Sequence, residues 1–390
     1  MKEKDILIAA RPDQSLQIYE ALCDQQKLSF QFVSFKVIPK WLKTFLGNKK
    51  LTGVGRNATI TYWGTFKHLA KRRFRFRFAK YWSDNDILVH KIKAILSRNH
   101  FKIIHFWPEH CGGGFIEKYQ NEHPEVLVLA DIHMPHPEVV FRDMFPVYNK
   151  YEIDIKNCDL TRLCKEQKNY VTNINHIIVP STYVADTYKE IYPNKVYHIV
   201  PYGIRISDKY KKTYKQDVTS FVYVGVIALE KGCDLLFDIF KNNQSLQLHV
   251  YGTILDGQKQ VFESYASIPN IHFHGFIPKS EIQKAIRDFD AGIHLSRFDA
   301  YSLAVGEIIG CGLPVVVSDK TGNKEEIEKY GLGIVTPLSI DRIEEAISNI
   351  CNTEFYNQCI DNIDAYLQHG ESSYGECMMH FYERHINSNK

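Results

Sequence analysis

Short apolar runs separated by longer mixed segments recur along the chain, the pattern of strands that alternate with helices. Asp5–Ala10, Phe30–Phe35, Ile103–Trp107, Val126–Ala130, His176–Pro180 and Val196–Val200 are apolar enough to be strands of a parallel sheet covered on both faces. Gln14–Leu22 and Leu160–Asn173 are expected to be helices, and Ser181 is placed to cap the helix that follows the fifth run. From Arg205 to Val218 the pattern lapses into a polar, Lys-rich stretch that reads as a linker. A second alternation follows, with strands expected at Phe221–Gly225, Leu246–Tyr251, Ile271–His274, Ala291–Leu295, Pro314–Ser318 and Gly333–Val335. The tail from Glu354 to Asn387 reads as helical with a break near Gly370. Two α/β units with parallel sheets follow from this order.

Length agrees with two units, since 390 residues exceed what one hydrophobic core holds. The N-terminal apolar run, Ile6–Ala10, is shorter than the roughly 7–15 residues of a secretory leader. No run approaches the ~20 residues of a membrane span, so a cytoplasmic location is expected. The nine cysteines are odd in number and scattered, with no Cys-x-x-Cys pair, which argues against a disulfide framework or a zinc site.

Charge adds one feature that the hydrophobic pattern does not show. Between Gln25 and Ser83 there are 14 Lys or Arg and no Asp or Glu, whereas the rest of the chain carries 34 basic and 45 acidic residues. Within that stretch Trp63–Trp82 interleaves Phe66, Phe74, Phe76, Phe78 and Tyr81 with Lys and Arg, a composition suited to an anionic membrane surface rather than to nucleic acid.

Candidate chemistry concentrates between Asp299 and Asp319. A strand ends near Ser296, a loop carries Asp299, a helix opens near Ser302, and an apolar strand follows Gly312-Leu-Pro314. The first turn of such a helix offers unpaired amides and a positive dipole end to a diphosphate. Tyr301, Ser302 and Leu303 lie at that turn, Glu307 is within reach of ribose hydroxyls, and Asp299 is placed for sugar hydroxyls. A second element, Phe221-Val-Tyr-Val-Gly225 followed by Lys231-Gly232 at a helix start, is a further phosphate-proximal arrangement.

The segment from Asp299 to Asp319 resembles the motif of retaining glycosyltransferases of family 4, in which two acids separated by seven residues precede a Gly-x-Pro-Val-Val strand. Here the acids are Asp299, where the family has Glu, and Glu307. The resemblance implies the GT-B fold, two Rossmann-like domains with parallel sheets facing across a cleft. It implies that Asp299 holds the donor sugar and Glu307 the ribose. It also implies that Lys231 balances the diphosphate, although Val226 stands where a second basic residue is common. His176–Asp186, Val200–Ile204 and Gly275–Pro278 extend the likeness, the last placing Ile277 near the nucleobase. His133, in Asp131-Ile-His-Met-Pro-His136, stands where many members have a His facing the transferred sugar; Arg11 and His136 are weaker candidates.

The resulting expectation is as follows. Lys231, Asp299 and His133 are catalytic, and Gly225, Ile277, Tyr301, Ser302, Leu303 and Glu307 bind the donor. No metal and no cofactor beyond the nucleotide-diphosphate sugar are needed, and no nucleic acid is a partner. Residues 1–205 take the acceptor, a glycan or lipid-linked molecule; residues 206–370 take the donor; and residues 371–390 form a helix returning to the first domain. Cell-surface polysaccharide or lipopolysaccharide synthesis at the inner face of the membrane is the setting this suggests. A nucleotide-sugar epimerase on the same fold and a degenerate binding module are the alternatives.

Overall fold

The computed structural model describes residues 2–10, 14–34, 37–39, 52–55, 57–60, 84–108, 114–153, 171, 174–204, 212–369 and 373–388. The basic segment Trp63–Trp82, Arg11, residues 205–211 of the linker and all but Val171 of the expected helix Leu160–Asn173 lie outside them.

Two parallel sheets organise the chain. The first has seven strands in the order β5-β2-β1-β6-β7-β8-β9, where β5 is Ala58–Ile60, and the second has six in the order β12-β11-β10-β13-β14-β15. In the first, β1 (Lys2–Ala10) pairs with β2 (Phe30–Ser34) on one side and β6 (Asn99–Phe106) on the other; β7 (Leu127–Asp131), β8 (His176–Val179) and β9 (Val196–Ile199) continue outward. In the second, β10 (Ser220–Val224) lies between β11 (Gln247–Tyr251) and β13 (Ala291–His294). The outer strands are β12 (Ile271–Gly275), β14 (Val315–Ser318) and β15 (Gly333–Thr336). The central strands are buried along their length, as apolar runs without alternation require: Ile6 to Ala10, Phe221 to Tyr223 and Val315 to Val317 are all but inaccessible. This is the GT-B architecture that the sequence led us to expect. Three short strands, Val37–Pro39, Thr52–Val54 and Ala58–Ile60, are the part of it that periodicity did not show.

Two helices cross between the units. Helix α4 (Pro137–Lys150) follows β7, yet its Val140, Met144 and Tyr148 pack into the core of the second unit. The C-terminal helix α13 (Tyr374–Ser388) buries Tyr374, Met378, Met379 and Tyr382 against α1 (Gln14–Gln25) and the first sheet. Among the described residues no helix is long and apolar enough to cross a membrane.

Candidate active site

In each sheet the strand order reverses beside its first strand, β1 or β10, and the chain leaves the carboxyl ends of the neighbouring strands on opposite sides. Such switch points open a crevice for ligands. A cavity of about 290 Å³ lies there between the two units. Trp107, His133 and Tyr202 wall it from the first unit, and Lys231, Asp299, Tyr301 and Leu303 from the second. Trp107 directly follows β6, and His133 lies two residues beyond β7. Both are therefore fixed by the strands that deliver them.

Lys231 ends a single 3₁₀ turn, Leu229–Lys231, and Gly232 then starts helix α6 (Cys233–Asn242) with φ of 65°. A Cβ on Gly232 would stand 2.0 Å from the Leu295 carbonyl oxygen, so only glycine lets this turn approach β13. That approach brings Lys231 Nζ to 2.7 Å from Asp299 Oδ2. The turn is pinned from behind. Arg297 reaches both oxygens of Asp234 at 2.6 and 2.9 Å and also donates to the Leu229 carbonyl. The Arg297 amide donates to the Glu230 carbonyl at 2.9 Å, while Tyr148 and Gln258 donate to the Glu230 carboxylate at 2.7 and 2.9 Å. Arg297 is thus committed to Asp234 and does not supply the cation missing at Val226.

Asp299 has a second partner below it. His294 Nε2 lies 3.3 Å from Asp299 Oδ2, 2.9 Å from Ser296 Oγ and 3.2 Å from Ser302 Oγ. The ring is buried and stacks on Tyr223, and its Nδ1 is buried without a hydrogen-bond partner. Burial pushes the His294 pKa down, against the opposing pull of Asp299. The neutral ring carries its proton on Nε2, because a bare Nδ1 lone pair is cheaper to bury than an unpaired N–H aimed at nothing. Burial favours the neutral acid for Asp299, but the His294 hydrogen bond and the Lys231 charge outweigh it and hold the carboxyl well below its usual range. The Asp299 backbone is fixed as well, with its amide on the Lys320 carbonyl at 3.0 Å and its carbonyl taking the Gly322 amide at 2.9 Å.

The helix after this loop, α9 (Leu303–Gly310), is capped by Ser302, whose hydroxyl accepts from the Val305 amide. The Ser302 amide itself donates to Asn323 Oδ1 at 2.6 Å. The amides left for an anion are those of Leu303 and Ala304, the first two of the helix, which have no intrahelical acceptor. Tyr301 shows the cavity only its ring. Its hydroxyl donates to the buried Glu326, and its edge meets Tyr202 with ring centroids 5.6 Å apart.

The remaining expected residues are spread more widely. Gly225 follows β10 and its amide donates to the Tyr251 carbonyl at 2.9 Å, outside the cavity wall. Ile277 packs against the core cluster around Val222 and Val305. Glu307 is half-buried on the second turn of α9, also outside the wall. His136 is structural. It caps α4 through Nδ1, which accepts from the Glu138 amide at 3.2 Å, and its ring packs edgewise on Tyr188.

Two contributors escaped sequence reasoning. In the sequence Trp107 is only the end of an apolar run, although the carboxyl end of a parallel strand beside a switch point is where ligand contacts arise. His294 is the only ionisable residue of β13, five residues before Asp299, and that isolation within an apolar strand is the signal that marks it. Trp107 stacks on His105 with ring centroids 4.5 Å apart. Beneath that stack lies a buried polar chain. His105 lies 3.2 Å from Asp131 and 2.6 Å from the Tyr382 hydroxyl, and Tyr374 donates to the same Asp131 oxygen. The C-terminal helix therefore braces the strand ends that carry Trp107 and His133.

Residues 205–365 match the family model described as Glycosyl transferases group 1. Solved structures similar to it include sucrose-phosphate synthase from Thermosynechococcus elongatus, with 14% identity, all of both chains covered and a TM-score of 0.63. A lipopolysaccharide outer core galactosyltransferase, WaaB, matches at 14% identity over all of both chains with a TM-score of 0.60. Anabaena HepE, solved with UDP, matches at 14% identity over 98% of this chain and 100% of its own, with a TM-score of 0.59. At these identities the likeness speaks for the GT-B fold. No curated protein matches the chain.

Proposed function

We propose that the chain is a retaining glycosyltransferase, of the family 4 type, that moves a hexosyl unit from a nucleotide-diphosphate sugar to a glycan or lipid-linked acceptor. The observation that carries this is the convergence of Lys231, Asp299 and His133 on one cavity between the two sheets, beside the open first turn of α9. The bond from the anomeric carbon to the diphosphate oxygen breaks, the acceptor oxygen bonds on the same face, and its proton passes to the departing phosphate. Lys231 and the Leu303 and Ala304 amides receive the charge that develops there, each such donor contributing roughly 3–4 kcal/mol. That work is the one a divalent ion would do, so transfer needs none. Asp299 orients sugar hydroxyls, His133 faces the transferred sugar, Glu307 holds the ribose, and Gly225 and Ile277 border the nucleoside.

Residues 1–205 bind acceptor, residues 206–370 bind donor, and the last helix closes back on the first domain. The segment Trp63–Trp82 rests on an anionic membrane surface at its cytoplasmic face, where cell-surface polysaccharide or lipopolysaccharide is assembled. A UDP-bound neighbour and a lipopolysaccharide galactosyltransferase neighbour are consistent with this reading. One observation favours a second reading, a binding module without turnover: Lys231 is already paired with Asp299, and Val226 offers no second cation.

The test is release of nucleoside diphosphate from a panel of UDP-, GDP-, ADP- and dTDP-sugars, with and without EDTA. Release from one donor class that persists in EDTA and is lost in Lys231→Ala supports transfer. Binding of a donor without release supports the module, and release that requires a divalent ion contradicts the metal-independent mechanism.

A further inference from the structure

At the opposite end of the first sheet from the cavity, three side chains that the transfer reading does not use face one another. His100 is the second residue of β6, while His123 and Glu125 lie in the turn between helix α3 (Gly114–Glu122) and β7. Their ligand atoms all lie within 4.8 Å of one another. His123 Nδ1 is 3.4 Å from Glu125 Oε1, and His100 Nε2 is 3.9 Å from the same oxygen. A tetrahedral zinc ion with bonds near 2.0–2.1 Å sets its ligand atoms about 3.3 Å apart. One edge of the cluster already has that length, and the other known edge is within about half an ångström of it.

The turn is built rather than loose. The His123 amide donates to the Tyr119 carbonyl at 2.9 Å and the His123 carbonyl takes the Val126 amide at 3.1 Å. The Tyr119 ring lies against the His123 ring, centroids 4.3 Å apart, which fixes the imidazole plane. Both imidazoles are half-buried and Glu125 is exposed, so the open side of the cluster faces solvent.

We propose that His100, His123 and Glu125 form a zinc-type site that clamps the start of β6 to the turn before β7, with solvent water as the fourth ligand. Two imidazoles and one carboxylate select zinc or a neighbouring transition metal over magnesium or calcium, which prefer all-oxygen shells. The strand places this cluster about 23 Å from Trp107, at roughly 3.3 Å per residue, so the ion acts on the fold, apart from the transfer site.

The test uses the tag-free, metal-stripped full chain, titrated calorimetrically with zinc and then with magnesium. One saturable zinc equivalent, absent with magnesium and weakened at least about tenfold in both His123→Asn and Glu125→Gln, supports the site. Both variants should melt at the wild-type temperature without zinc and lose the upward shift that zinc gives the wild type. A zinc equivalent that survives in the double variant, or no saturable equivalent below millimolar zinc, overturns it.

Discussion

Asp299→Asn separates the two tasks assigned to the paired charges of the cavity. Lys231 is held at 2.7 Å by Asp299, a carboxylate that is only 13% exposed. At an effective dielectric of about 20, unit charges at that distance attract by roughly 6 kcal/mol before desolvation is counted. What survives as a net hydrogen bond to a charged group is about 1.5–3 kcal/mol. A diphosphate must draw Lys231 at least partly from this partner and bears that cost. Asparagine keeps the size and one acceptor oxygen but removes the charge, so nucleoside diphosphate should bind the variant about 10–100-fold more tightly. Turnover should fall at least about tenfold, because the group that orients the sugar is weakened. Binding and turnover then move in opposite directions, which a general loss of structure would not produce. The assay is calorimetric titration with UDP, GDP and ADP beside initial rates on the active donor, with melting temperature as the control. A folded variant that binds diphosphate no better than wild type refutes the pairing argument.

Gly232→Ala must accept φ of 65° and a Cβ 2.0 Å from the Leu295 carbonyl, so a loss of about 2–4 kcal/mol is expected, together with loss of donor binding as the Lys231 turn retreats. Tyr374→Phe removes a donor from buried Asp131 and should lower stability by about 1–3 kcal/mol, whereas Tyr214→Phe, on the exposed Asp361, should cost under about 1 kcal/mol. Denaturant melts compare the two. Burial lowers the pKa of His294, and of His198 and His249 to about 4. The unfolded chain therefore takes up more protons than the fold below the ordinary His pKa, and stability should fall as pH drops from about 6.5 towards 4. An unchanged melting temperature across that window would contradict the burial of these rings. The Asp299 contribution is lost only at still lower pH, as pH falls through its depressed pKa.

How much of this was legible depended on whether the residues concerned are contiguous in the chain. The strands were, because buried parallel strands are unbroken apolar runs, as in Val315–Ser318. The loop with Asp299 and the cap Ser302 sit within a few residues of each other, and Lys231-Gly232 announces itself as a cation before a left-handed glycine. What the sequence hid is set by pairings across the fold. Nothing near Ser302 says that its amide belongs to Asn323, or near Arg297 that its guanidinium belongs to Asp234. Trp107 and His133 reach the cavity only because β6 and β7 are neighbours in a sheet. The short strands before Ile60 escaped because runs of three residues carry no measurable period.

The central claim is that Lys231 and Glu307 serve one nucleotide-sugar site. The most direct measurement is a thermal-shift screen of the wild type, Lys231→Ala and Glu307→Ala against UDP-, GDP-, ADP-, CMP- and dTDP-sugars. A donor at about 100 times its dissociation constant adds roughly 2.7 kcal/mol, a rise of about 3 °C for a chain of this size. The account predicts that one nucleotide class raises the wild type by that amount and that both variants lose the shift. No shift in the wild type at millimolar donor, or a shift that both variants retain, would contradict it.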